Sequence, residues 1–231
     1  MKNRFYFILI TALFASCAPT RFVKPLEEKQ HAVNFSVGGP LIAYSGMTIP
    51  IPFTTINYGY GVKSNLTAFG SIHTTSLLFG VIQTDIGVVR NVLVQNNYRP
   101  GISITPAANL AVDKWQGHFK FWPQVDINAY WNYKQKRNFF YLGFFNWFEL
   151  ASKRAFDEPQ TTHWIFGPHI GHTFVRNKMD YNLEVKYIGP NLSNQDLVVH
   201  YKSPSDKGAM GVYFSITKKF GNPKPAASVT K

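Results

Sequence analysis

From His31 onward, apolar and polar positions alternate along the chain with a period of two, the signature of a strand with two different faces. In the stretch 179–187, Met179, Tyr181, Leu183, Val185 and Tyr187 share one face, while Asp180, Asn182, Glu184 and Lys186 share the other. Between Phe119 and Trp131, the face holding Phe119, Phe121, Val125 and Ile127 opposes one holding Lys120, Trp122, Gln124, Asp126 and Asn128. The pattern predicts ten strands, at 31–38, 53–62, 65–74, 77–90, 101–112, 117–132, 138–150, 162–175, 179–188 and 209–220. Most run to ten residues or more, which suits a tilted membrane-spanning strand of about 9–11 residues. No long helix is expected.

The connections follow a barrel's rhythm of short turns on one side and long loops on the other. The links at 63–65, 134–137 and 176–178 are short, whereas 39–52, 151–161 and 189–208 are long. Links 91–100 and 113–116 break the rhythm. In the last segment, Gly211, Phe214, Ile216 and Phe220 resemble the terminal strand of Gram-negative outer-membrane barrels, whose assembly signal combines a glycine, alternating apolar residues and a final Phe. The resemblance implies an antiparallel up-and-down transmembrane β-barrel of about ten strands, spanning 31–220. A tail, 221–231, follows it. Trp131, Tyr133, Trp147, Trp164 and Tyr187 near strand ends would form interfacial girdles.

Composition sharpens this reading. Of 231 residues, 16% are aromatic and only 16% charged, a combination opposite to that of disordered chains. The net charge of +12 raises nucleic acid as a partner. The cations are scattered over turns and tails rather than gathered in a stripe with interleaved aromatics. Lipid headgroups are the simpler anionic partner, and no nucleic acid is expected.

Residues 1–16 carry two cations, an apolar core and small residues, as a secretory signal peptide does. Cys17, the single cysteine, follows Phe14-Ala15-Ser16 and resembles the acylated Cys of a bacterial lipobox. The alternative is ordinary cleavage after Ala18. Residues 17–30, with two prolines and mixed charge, read as a lipidated tether that leaves both chain termini in the periplasm.

No P-loop, GxGxxG, HExxH or GxSxG motif is present, so no nucleotide, metal or other cofactor is expected. In the barrel reading, Asp85, Lys120, Asp126, His169, Glu184 and Lys186 face the lumen and form a polar network. His73, His118 and His163 lie at the outer rim beside Asp113, Glu149 and Asp157, where histidine–carboxylate pairs would support general-base chemistry. Proteases of the omptin type place an Asp–His site at such a rim, without motif residues that match here.

Three functions compete. The first is a structural or accessory outer-membrane lipoprotein, not an open pore, in an envelope export, assembly or uptake complex. The second is a rim hydrolase or lipid-modifying enzyme using His73, His118, His163 and Glu149. The third is a lipid-tethered lipocalin-like carrier, which would need an apolar interior and a polar exterior.

Overall fold

The computed structural model describes residues 21–115, 117–133, 138–153, 159–177, 179–195 and 199–221. Its strands are β1 (His31–Tyr44), β2 (Met47–Pro50), β3 (Phe53–Lys63), β4 (Leu66–His73), β5 (Val81–Leu93) and β6 (Gly101–Asp113). They continue as β7 (Phe119–Tyr133), β8 (Asn138–Phe148), β9 (Trp164–Val175), β10 (Met179–Ser193) and β11 (Lys207–Phe220). A short helix, α1 (Thr74–Leu78), links β4 to β5.

Apart from β2, which pairs only with the end of β1, each strand lies antiparallel to its sequence neighbours. β11 then returns to β1, from His31 opposite Phe220 to Pro40 opposite Gly211. The ten-stranded sheet is therefore closed, and closure is what satisfies every strand edge in a medium without water. The mouth where β1 starts and β11 finishes is called proximal, and the opposite one distal.

The sequence pattern located all ten barrel strands but missed a hairpin in 39–52. β1 continues past the barrel wall to Tyr44 and turns through Ser45 and Gly46 into β2. Both turn residues have positive φ, 49° and 81°, the type I′ geometry that matches strand twist. Segment 199–202 completes this distal flap, with the His200 carbonyl accepting from the Ala43 amide and Lys202 N donating to the Leu41 carbonyl.

The interior is polar. Asn34, Ser36, Thr55, Asn57, Thr105 and Asn109 are all buried, whereas Phe35, Ile56, Ile86, Ile127, Leu142 and Ile170 face outward, exposed. Among the described residues no helix is long and apolar enough to cross a membrane; most of the exposed apolar residues lie on strands. A closed sheet with hydrocarbon outside and polar groups inside is a transmembrane β-barrel. It is the inverse of the lipocalin-like carrier, which is thereby corrected: burying an apolar ligand beside these amides and hydroxyls would strand them without partners.

Aromatic residues band the outside near the strand ends. Trp131 stacks on Phe140 at 5.1 Å, Trp164 lies against Phe166 at 4.6 Å, and His31 stacks on Phe220 at 5.5 Å. Trp147, expected in the girdle, instead lies 5.5 Å from Trp122, a residue on the inward face of β7.

Candidate functional site: a lumen filled by the amino-terminal segment

The site begins with residues outside the sheet. Arg21–Gln30 was expected to be part of a tether beyond the barrel, but the structure sends it into the lumen. Arg21, Phe22, Val23 and Leu26 are buried there. Lys29 N donates to the Gly61 carbonyl and Gly61 N to the Gln30 carbonyl, both at 2.8 Å, so the segment peels off β3. Thr67 Oγ1 then accepts from Leu26 N at 2.7 Å, and Ser103 Oγ donates to the Val23 carbonyl at 2.6 Å. These bonds satisfy backbone groups that would otherwise be buried without partners.

The wall is shaped to receive the segment. A Cβ on Gly59 would meet the Phe22 ring at 2.7 Å, and one on Gly61 would meet the Glu27 carbonyl oxygen at 1.9 Å. Any side chain at Gly61 would exclude the segment from its present path. Phe22 and Leu26 pack with Ala32, Phe69 and Val89, and Val23 packs with Tyr130, Phe139 and Tyr141. Two small apolar cores thus exist inside a polar barrel, and both contain segment residues.

At the head of the segment stands Arg21. Its Nη2 lies 3.0 Å from Asp85 Oδ1 and its Nη1 3.7 Å from Asp126 Oδ2. Nη2 also donates to Gln124 Oε1. Asp85 is saturated: Oδ1 accepts from Asn109 Nδ2 at 2.6 Å, while Oδ2 accepts from Ser71 Oγ at 2.8 Å and meets His73 Nε2 at 3.0 Å. A carboxylate taken out of water keeps its charge only with such company, and a guanidinium is the one side chain certain to stay protonated beside it.

A second buried group lies on β8–β10. Lys186 Nζ meets Glu184 Oε1 at 3.0 Å, and Tyr141 OH donates to Glu184 Oε2 at 2.7 Å while accepting from Asn182 Nδ2 at 3.0 Å. His169 Nε2 pairs with Asn128 Oδ1 at 2.7 Å. Asp85, Asp126, His169, Glu184 and Lys186 are all buried: Arg21 bridges Asp85 and Asp126, Lys186 and Tyr141 meet Glu184, and His169 pairs separately with Asn128. Lys120 is on the same face of β7 but partly exposed, closer to the distal end and outside these pairings.

The rim histidines do not gather into a site. His73 is buried in the lumen on Asp85, not at an exposed rim. His118, exposed, has Nδ1 3.7 Å from Asp113 Oδ2, and Asp113 holds the turn by accepting from Trp115 N and His118 N, both at 2.9 Å. His163 Nδ1 bonds the Glu149 backbone carbonyl at 2.8 Å, and the Glu149 side chain accepts from Trp122 Nε1 and Ala151 N, each at 2.7 Å. Asp157 lies outside the described residues, as does Cys17. Among the described residues no three His, Cys, Asp or Glu side chains converge as metal ligands would. Ser71 and His73 both end on one oxygen of Asp85, whereas a hydrolytic relay needs the imidazole between carboxylate and hydroxyl.

No family model matches this chain, and no curated protein does. Among solved structures it is similar to the translocator domain of the autotransporter NalP from Neisseria meningitidis, at 7% identity and a TM-score of 0.46, over 95% of this chain and 96% of that one. It is also similar to the outer membrane protein OprG from Pseudomonas aeruginosa, at 9% identity and a TM-score of 0.29, over 87% and 100% of the two chains. The attachment invasion locus protein Ail of Yersinia pestis stands at 8% and 0.28, over 84% and 99%. Identities this low carry no residue role across.

Beside the segment lies a cavity of about 410 Å³, between Phe22–Glu27 and the wall residues Asn34, Thr173, Asn182 and Thr217. Arg21 was the functional residue missing from the sequence reading. Two signals pointed to it: inward Asp85 and Asp126 call for a cation, and Phe22, Val23 and Leu26 are more apolar than a solvated tether needs.

Proposed function

We propose that this chain is an outer-membrane β-barrel closed by its own amino-terminal segment, serving as a structural or accessory component of an envelope export, assembly or uptake complex and not as an open pore. The observation that carries this reading is the seating of Arg21 between Asp85 and Asp126. The lumen's charge is used to hold a piece of the same chain, which supports a closed barrel over a diffusion path. The distal flap, with Tyr44 and Met47 exposed, is the surface offered to a partner. A signal peptide over 1–16 and acylation at Cys17 would deliver the chain to the envelope and add a second hold on its lipids.

The test has two arms. Purified chain reconstituted in planar bilayers is expected to give no steady conductance, and chain extracted from native membranes in mild detergent is expected to migrate with a larger assembly. Stable ohmic channels, or migration as a lone barrel in every mild detergent tried, would overturn the reading.

A further inference from the structure

Of the wall strands, β4 is the shortest. Its 8 residues, rising about 3.3 Å each and tilted about 40°, climb roughly 20 Å, against about 25 Å for the apolar band of a membrane barrel. Both neighbours run further toward the distal side. His73 and Ile72 end the β4 pairing on Thr55 and Thr84, whereas β3 goes on to Phe53 and β5 to Val81. A notch is left in the distal edge of the wall, and α1 lies in it.

The polarity of α1 is the inverse of that of a surface helix in water, which turns its polar side outward. Thr54 N donates to Thr75 Oγ1 at 2.8 Å, Thr74 Oγ1 donates to the Thr54 carbonyl at 3.0 Å, and Ser76 Oγ donates to Gln83 Oε1 at 2.7 Å. The polar side chains of α1 therefore bond to β3 and β5, while Leu77, Leu78 and Phe79 are left exposed, Leu78 at 86%. A strip of the outer wall follows at once: Ile82 pairs with Val112 and Val112 with Phe119, all three exposed. Trp115 lies against Gly80, where a Cβ would stand 2.9 Å from the indole Nε1, and Lys114 Nζ is 4.3 Å from the centroid of the same ring.

We propose that α1 and the Phe79–Gly80 turn are embedded in the distal leaflet of the membrane, where Leu77, Leu78 and Phe79 complete the lipid-facing wall above β4 and Trp115 and Lys114 mark the headgroup level. Continuity decides for lipid over a soluble partner, because the patch runs without a break into Ile82, Val112 and Phe119 on the hydrocarbon-facing wall. An indole with an ammonium over it suits that boundary: the ring sits among headgroups and the cation meets their anionic groups. The backbone is also prepared for a medium short of water, since Phe79 N donates to the Ser76 carbonyl at 3.1 Å and Gly80 N to the Leu77 carbonyl at 3.0 Å. The proposal rests on the membrane-barrel reading.

Fluorescence quenching in liposomes tests it, using the full chain with a thiol-linked bimane at Leu78→Cys. Ile127→Cys is the mid-belt reference, and Tyr98→Cys, exposed in the β5–β6 link, is the water reference. Wild-type chain labelled in parallel is the blank for Cys17, and heat-modifiable gel migration shows that each variant is folded. The Leu78→Cys probe is expected to be quenched by lipid carrying a nitroxide just below the headgroup. Iodide on both sides of the bilayer is expected to quench it several-fold less than the Tyr98→Cys probe. Iodide quenching at the Tyr98→Cys level with no quenching by the nitroxide lipid would put α1 in water and overturn the proposal. Protection from both quenchers would overturn it in favour of a protein covering the patch. If the Ile127→Cys probe escapes a nitroxide placed deep in the acyl chains, the membrane barrel itself fails, not merely the placement of α1.

Discussion

Arg21 and Asp85 meet at 3.0 Å in the middle of the lumen, one from the amino-terminal segment and the other from the wall of β5. Both side chains are almost wholly shielded, and neither belongs to the outward apolar surface that places the barrel in a membrane. The pair joins two levels of the fold. The alternation that builds the barrel also points Asp85 inward, and the buried carboxylate then selects what fills the space.

Removing one member of this pair leaves the other buried and uncompensated. Arg21→Ala or Asp85→Asn is expected to destabilise the folded barrel by about 3 kcal/mol or more, as breaking buried ion pairs does. The temperature at which the compact band converts to the unfolded band on semi-native gels measures this. The loss is expected to be larger for Arg21→Ala, which orphans both Asp85 and Asp126, than for Asp85→Asn.

Gly61 tests the shape of the seat without touching its charges. A methyl at Gly61 would stand 1.9 Å from the Glu27 carbonyl oxygen, so Gly61→Ala is expected to expel the segment while leaving the barrel closed. Trypsin should then cut after Arg21 and Lys29 in detergent micelles many times faster than in the wild-type chain. An unchanged rate would mean that the segment is held elsewhere.

The outer belt makes a prediction that a water-soluble barrel would fail. Ile127 and Leu142 are outward and exposed in mid-strand, so Ile127→Lys or Leu142→Arg is expected to cost about 2–4 kcal/mol on folding into lipid vesicles. Urea titrations in thin-bilayer vesicles measure it. In a soluble domain the same exposed positions would be close to neutral, within about 0.5 kcal/mol.

The rim residues are expected to matter for structure rather than for chemistry. His118→Asn should leave heat-modifiable migration unchanged, because the ring is exposed and the turn is held by Asp113. Glu149→Ala should lower the stability of the folded barrel by about 1–3 kcal/mol, since it leaves the Trp122 indole N–H without its acceptor.

The architecture was legible because period-two alternation is local: Glu184 and Lys186 had to share a face with Asn182 whatever the partners were. The same logic placed Asp126 and His169 inward. Three features were not legible. Segment 21–30 has no periodicity, and its proline and charges match those of a solvated linker. Its role emerges only from contacts such as Leu26 with Thr67 and Val23 with Ser103, which link distant parts of the chain. His73 was assigned to a rim because it ends its strand, whereas barrel stagger and the buried Asp85 on the next strand draw it inside. The β1–β2 hairpin was missed although Ser45-Gly46 is a turn dipeptide, because the prolines around it suggested a loop.

Everything specific to this barrel depends on the segment being seated in the lumen in the native membrane. The most direct measurement is short-range thiol cross-linking in intact membranes between Val23→Cys and Ser103→Cys, whose wild-type residues share a 2.6 Å hydrogen bond. Expected is near-complete intramolecular cross-linking by a short bifunctional maleimide, read as a heat-resistant compact band, and abolished by Gly61→Ala. Free labelling of both cysteines by a monofunctional maleimide without cross-linking would contradict a lumen filled by its own amino-terminal segment.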